Sequence, residues 1–164
     1  MSTNNPETVS IDNSSTEEAI ANELIEDAIA VNYIDEIETV IGSMAEEQKV
    51  MVAENEAGHL WKFKYGSVDV YVRLTGETED DTLTVWSYVL KLPAKNELEL
   101  MRRLLQMNWL STMESHFAIV DNQIVIVATR TVSELSPGEI SRAITIVATL
   151  ADDNDEALAA EFGQ

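Results

Sequence analysis

From Trp61 to Leu74 apolar and polar residues alternate at every second position, a period that only extended strands satisfy. Trp61, Phe63 and Tyr65 alternate with Lys62 and Lys64; past a Gly66-Ser67 turn, Val68, Val70, Val72 and Leu74 alternate with Asp69, Tyr71 and Arg73. After the acidic loop Gly76 to Asp81, a third strand is predicted from Thr82 to Lys91, ended by Pro93. The three make an antiparallel meander. Two further strands, His116 to Val120 and Gln123 to Thr131, flank an Asp121-Asn122 turn and make a hairpin.

Elsewhere the period is helical. Ser14 and Ser15 are each followed three residues later by glutamate, which reads as capping boxes opening an acidic amphipathic helix over 15–31. Its stripe is Ile20, Leu24, Ala28 and Val31, and Asn32 breaks or kinks it. Ile34, Ile37, Ile41 and Met44 form the narrow seam of a second helix. Asn96, with Glu99 three residues on, caps a third that carries Leu98, Met101, Leu105 and Trp109 on one side. Ser136-Pro137-Gly138-Glu139 is the strongest helix start in the chain, with serine at N-cap, proline first and glutamate third. The helix it opens buries Ile140, Ile144, Val147, Ala151, Leu158 and Phe162.

These elements divide the 164 residues into a disordered polar tail (1–14), the acidic helix (15–31) and one α+β domain (32–164). The domain order is α-β-β-β-α-β-β-α, an antiparallel sheet of about five strands flanked by helices.

Charge and composition exclude several roles. The net charge is -20, and it lies at the ends: residues 1–58 carry -13, residues 59–149 only -2, and residues 150–164 carry -5. Such a chain repels phosphate backbones and anionic lipid, so neither nucleic acid nor membrane is an expected partner. The polar start lacks the features of a signal peptide and no apolar stretch reaches bilayer length, which predicts a cytoplasmic protein. With no cysteine there is no disulfide framework, zinc ribbon or thiol chemistry.

Catalytic constellations are missing as well. His59 and His116 are the only histidines, and Ser115 cannot pair with its strand neighbour His116 because adjacent side chains point to opposite faces. No nucleophile elbow, phosphate loop or zinc-binding helix motif occurs. Asp152 to Asp155 could begin a calcium loop, but Ala157 stands where glycine is needed and Gly163 where glutamate is needed. The acidic loop Glu77 to Asp81 reads as solvated carboxylates. Lys62, Lys64, Arg73, Arg102, Arg103 and Arg130 read as balancing local carboxylates. No cofactor and no metal is expected.

What remains is surface. The strand 82–91 is apolar on both sides, with Leu83, Val85 and Val89 on one and Trp86, Tyr88 and Leu90 on the other. Ile124 and Ile126 against Val125 and Val127 repeat the pattern. Either the chain's own helices cover both faces or a second chain covers one. So few helices in so short a chain favour the second chain, as a homodimer or a protein partner. Trp61, Tyr71, Trp86, Tyr88, Val125 and Val127 are the candidate interaction residues; Trp109 and most other aromatics read as core.

Six tracts carry a resemblance: Gly58-His59-Leu60-Trp61-Lys62-Phe63, Thr84-Val85-Trp86-Ser87, Leu90-Lys91-Leu92-Pro93, Met107-Asn108-Trp109, Phe117-Ala118-Ile119-Val120 and Leu135-Ser136-Pro137-Gly138-Glu139-Ile140. From about Tyr33 to the C-terminus the chain resembles the YbjN family, labelled a bacterial sensory transduction regulator. That family is similar in fold to type III secretion chaperones, which are small, acidic and usually dimeric and hold extended client segments on exposed apolar surface. The resemblance implies a non-enzymatic protein-binding module, chaperone-like or regulatory, with no catalytic residues to transfer. Two other readings stay open: a structural or adaptor dimer without a client groove, and a small-ligand binder or enzyme using a pocket beneath His59 or His116.

Overall fold

A computed structural model describes residues 14–29, 32–45 and 50–164. The chain divides into two units, Met1–Val31 and Asn32–Gln164. In the first, helix α1 (Ser14–Ile29) opens at the serines expected to cap it. Of the expected tail (1–14), residues 1–13 lie outside the described residues, as does the expected helix end at Val31, and Ser14 belongs to α1.

The second unit runs α2 (Tyr33–Met44), β1 (Val50–Asn55), β2 (Gly58–Tyr65), β3 (Val68–Leu74), β4 (Thr82–Lys91), α3 (Glu97–Leu110), β5 (His116–Val120), β6 (Gln123–Thr131) and α4 (Pro137–Phe162). One antiparallel sheet has the order β1-β2-β3-β4-β6-β5. The α+β class and the five expected strands are present, and β1 adds a sixth. Its Val50-Met51-Val52-Ala53 run is too short to show a period, and the register shift between Met51 and Ala53 breaks what alternation it has.

Register assigns each strand residue to a face. Trp61 lies opposite Val72, Val72 opposite Val85, and Val85 opposite Ala128. With Phe63, Val70, Leu74, Leu83, Ile126 and Phe117 they form the face that the helices cover. Into this core α2 inserts Ile37, Val40 and Ile41, α3 inserts Leu100 and Leu104, and α4 inserts Ile140, Ile144, Val147, Ala151, Leu158 and Phe162. A register shift between Tyr88 and Leu90 turns Leu90 across to Ile124 and into that core. Simple alternation had placed Leu90 beside Trp86.

Local chemistry starts and ties these elements. Asn32 starts α2: its side chain accepts from the Asp35 backbone N–H at 3.1 Å. Gly58 adopts φ +105°, and a Cβ there would meet the Leu74 carbonyl oxygen at 2.0 Å, so only glycine opens β2. The β5–β6 turn holds Asp121 and Asn122 both at positive φ, the geometry of a two-residue hairpin turn. Asn96 corrects the sequence reading: it precedes α3 in a left-handed conformation and its side chain makes no capping bond.

The start of α4 follows the reading in full. Ser136 Oγ accepts from the Glu139 N–H at 3.2 Å, and Glu139 accepts from the Ser136 N–H at 2.8 Å. Arg130 donates to Glu139 at 2.8 Å. The Ser136 backbone bond first, then Arg130, hold the Glu139 carboxyl at about 2. Because the folded-state value lies below the ordinary 4.5, the stabilisation is complete above that pH and is lost as pH falls from there toward 2. Acid titration of unfolding should therefore be shallower over this range in Glu139→Gln than in the parent chain.

Candidate interaction surface

The second sheet face carries Tyr71, Trp86, Tyr88, Val125 and Val127, five of the six residues singled out above. None belongs to the core beneath the helices. Tyr71 and Trp86, paired across β3 and β4, stack with ring centroids 5.3 Å apart, and Tyr88 meets Tyr71 edge-on at 5.8 Å. Lys62 Nζ lies 5.7 Å from the centre of the Tyr71 ring. Val125, between Tyr88 and Ala118 in register, is only 1% exposed, while Tyr71, Trp86, Tyr88 and Val127 keep partial access to solvent.

Trp61 is the exception. It occupies the opposite face with no exposed surface, and its Nε1–H donates to Glu38 at 3.2 Å. It is a core residue. The one-residue offset between Trp61 and Lys62 decides which side each occupies.

A larger apolar surface lies where the sequence reading placed only one side of a helix. On α3, Leu98 is 75% exposed, Leu105 70%, Trp109 88% and Leu110 76%, with Met113 beyond the helix and Ile119 and Val120 on edge strand β5 also open. Leu100 and Leu104 do the inward packing. Trp109, read as core, is thus the most exposed of the large apolar residues among those described. Leu98, Met101, Leu105 and Trp109 recur at three- and four-residue spacing along one stripe, the seam by which one helix packs on another. The signal was present in the sequence: α3 has two apolar stripes, and one sheet can cover only one of them.

The groups that might have carried chemistry lie apart or have structural work. His59 is on β2 and His116 on β5, four strands away and so about 19 Å distant at the usual strand spacing. His59 stacks on Trp61 and its Nε2 lies 3.3 Å from Glu54. Asp81 accepts from Thr75 Oγ1 (2.8 Å) and from the Thr78 N–H and hydroxyl, which closes the β3–β4 loop and holds its carboxyl below the usual range. Asp152 and Asp155 accept from Ser67 and tie the β2–β3 turn to α4. Among the described residues no cluster of three or more His, Asp or Glu could hold a metal ion, and no helix is long and apolar enough to cross a membrane. Of the six basic residues considered, Lys62, Arg103 and Arg130 pair with Asp69, Glu161 and Glu139.

A six-stranded antiparallel sheet with the helices α2, α3 and α4 packed on one side, and with apolar surface left open on α3, defines a fold of the α+β class. The chain belongs to the YbjN family: residues 33–160 match the family described as "Putative bacterial sensory transduction regulator". Among solved structures it is similar to the crystal structure of the ExsC–ExsE complex, with a TM-score of 0.50 and 16% identity over 79% of this chain and 96% of that one. At that identity the likeness is one of fold, and it is the fold implied by the resemblance to type III secretion chaperones. No curated protein matches the chain.

Proposed function

We propose that this chain is a cytoplasmic protein-binding module, chaperone-like or regulatory rather than enzymatic, that pairs with a second copy through α3 and receives a protein partner on the open sheet face. One observation carries the reading: Leu98, Leu105, Trp109 and Leu110 stand in solvent although the core beneath α3 is complete. Burying four such side chains contributes roughly 6–12 kcal/mol. That is comparable with the roughly 4–15 kcal/mol that association costs, so a partner surface is the arrangement in which these residues cease to be a liability. A two-fold pair of α3 helices fits, because each copy offers the same seam to the other. Membership of a family described as regulatory supports the role, and the similar solved structure is itself a complex of two different proteins.

A structural or adaptor dimer is the second reading, favoured by the way Tyr71, Trp86 and Tyr88 pack on one another and by the burial of Val125 on the same face. Co-purification from the native cell separates the two. The parent chain should retain a defined partner that Tyr71→Ser/Trp86→Ser loses while both chains still self-associate. Retention of the same proteins by both would remove the sheet face from the proposal and leave the adaptor.

A further inference from the structure

The chain has thirty Asp and Glu against ten Lys and Arg, yet the open sheet face reverses that balance. Register places Lys62 and Lys64 of β2, Arg73 of β3 and Lys91 of β4 on the same side as Tyr71 and Trp86. Asp69 is the one acidic strand residue of β2–β6 on that side. Among the described strand residues, four cations and one carboxylate share the face, a segregation that solubility alone does not call for. Lys62 is 3.5 Å from Asp69, whereas Lys64, Arg73 and Lys91 are exposed and have no carboxylate partner among the described residues.

Building on the proposed protein-binding role, we infer that this face takes an extended acidic peptide segment of a partner, with apolar side chains on the Tyr71–Trp86 pair and carboxylates on the flanking cations. Lys64 lies opposite Asp69 in strand register and Arg73 opposite Leu60, so their Cα atoms are four residues apart along the sheet and one strand across, about 14 Å. An extended segment spans that distance in about four residues. Acidic residues four apart therefore reach both cations while the residue between them lies over the aromatic centre. A single-stranded nucleic acid fits less well. The Tyr71 and Trp86 ring faces are turned to each other rather than offered to bases, and a long polyanion would meet the remaining carboxylates beyond the screening distance of about 8–10 Å. A short peptide stays inside the cationic island.

The test uses the full chain and four labelled probes. Three are ten-residue peptides with serine at every second position and, between the serines, leucine or phenylalanine taking turns with glutamate, glutamine or lysine, so that the variable residues fall four apart with an apolar residue midway on the same side; the fourth is a ten-nucleotide oligothymidylate. Binding is read by anisotropy and by the Trp86 indole N–H resonance. The glutamate peptide should bind at least tenfold tighter than the glutamine peptide and should shift the Trp86 signal. Lys64→Glu/Arg73→Glu, at two exposed positions, should abolish the preference. Equal affinity for glutamate and glutamine peptides, or tighter binding of the lysine peptide or the oligonucleotide, overturns the acidic-partner inference. If all three peptides shift Trp86 equally, only that inference falls and the protein-binding face stands. If none binds, the inference falls too, and the co-purification comparison alone decides the broader reading.

Discussion

Trp109→Glu is expected to weaken self-association at least a hundredfold while leaving the fold of each subunit intact. A tryptophan buries roughly 150–250 Å² when covered, worth about 4–6 kcal/mol of transfer free energy. Placing a carboxylate at that position in a seam of Leu98, Met101 and Leu105 adds the desolvation of an unpaired charge. The transfer free energy alone exceeds the roughly 2.7 kcal/mol that a hundredfold loss represents. The subunit should not notice: Trp109 is 88% exposed, and Leu100 and Leu104 do the inward packing of α3. Sedimentation velocity with circular dichroism checks both halves. A variant that still associates like the parent would remove α3 from the interface.

Opposite outcomes are expected from two tryptophans 25 positions apart in the same sheet. Trp61→Ala should cost about 3–5 kcal/mol, since it empties a fully buried site and removes the indole N–H that donates to Glu38. For a domain of this size that is a fall of about 6–20 °C in Tm. Trp86→Ala removes a partly exposed ring and its stacking on Tyr71, a contact worth about 0.5–1.5 kcal/mol beyond area. It should lower Tm by only a few degrees and abolish partner retention. Calorimetry and co-purification on the same two variants test the assignment of sheet faces. Equal losses of stability would show that both sides of the sheet are core.

The contrast also shows what could be read from the residues alone. The alternation from Trp61 to Leu74 and the Ser136–Glu139 capping box are local signals, and the elements they specify form where expected. Five interaction candidates were placed on one face by the same alternation. Trp61 was misplaced because period two separates the faces without saying which one the helices will cover, and that depends on α2, α3 and α4 together. Leu90 went astray because a bulge after Tyr88 resets the alternation and leaves no signature in residue type. The α3 surface was overlooked for a third reason. Leu98, Leu105 and Trp109 form a good apolar stripe, and nothing local distinguishes a stripe that meets its own sheet from one that meets another molecule.

The central claim is that α3 leaves a surface which only a second copy covers, and sedimentation equilibrium of the unmodified full-length chain tests it most directly. Across micromolar concentrations the fitted mass should be twice that of one 18.2 kDa chain, with Leu105→Glu/Trp109→Glu reduced to a single chain under the same conditions. A parent protein that sediments as one chain throughout would contradict the account.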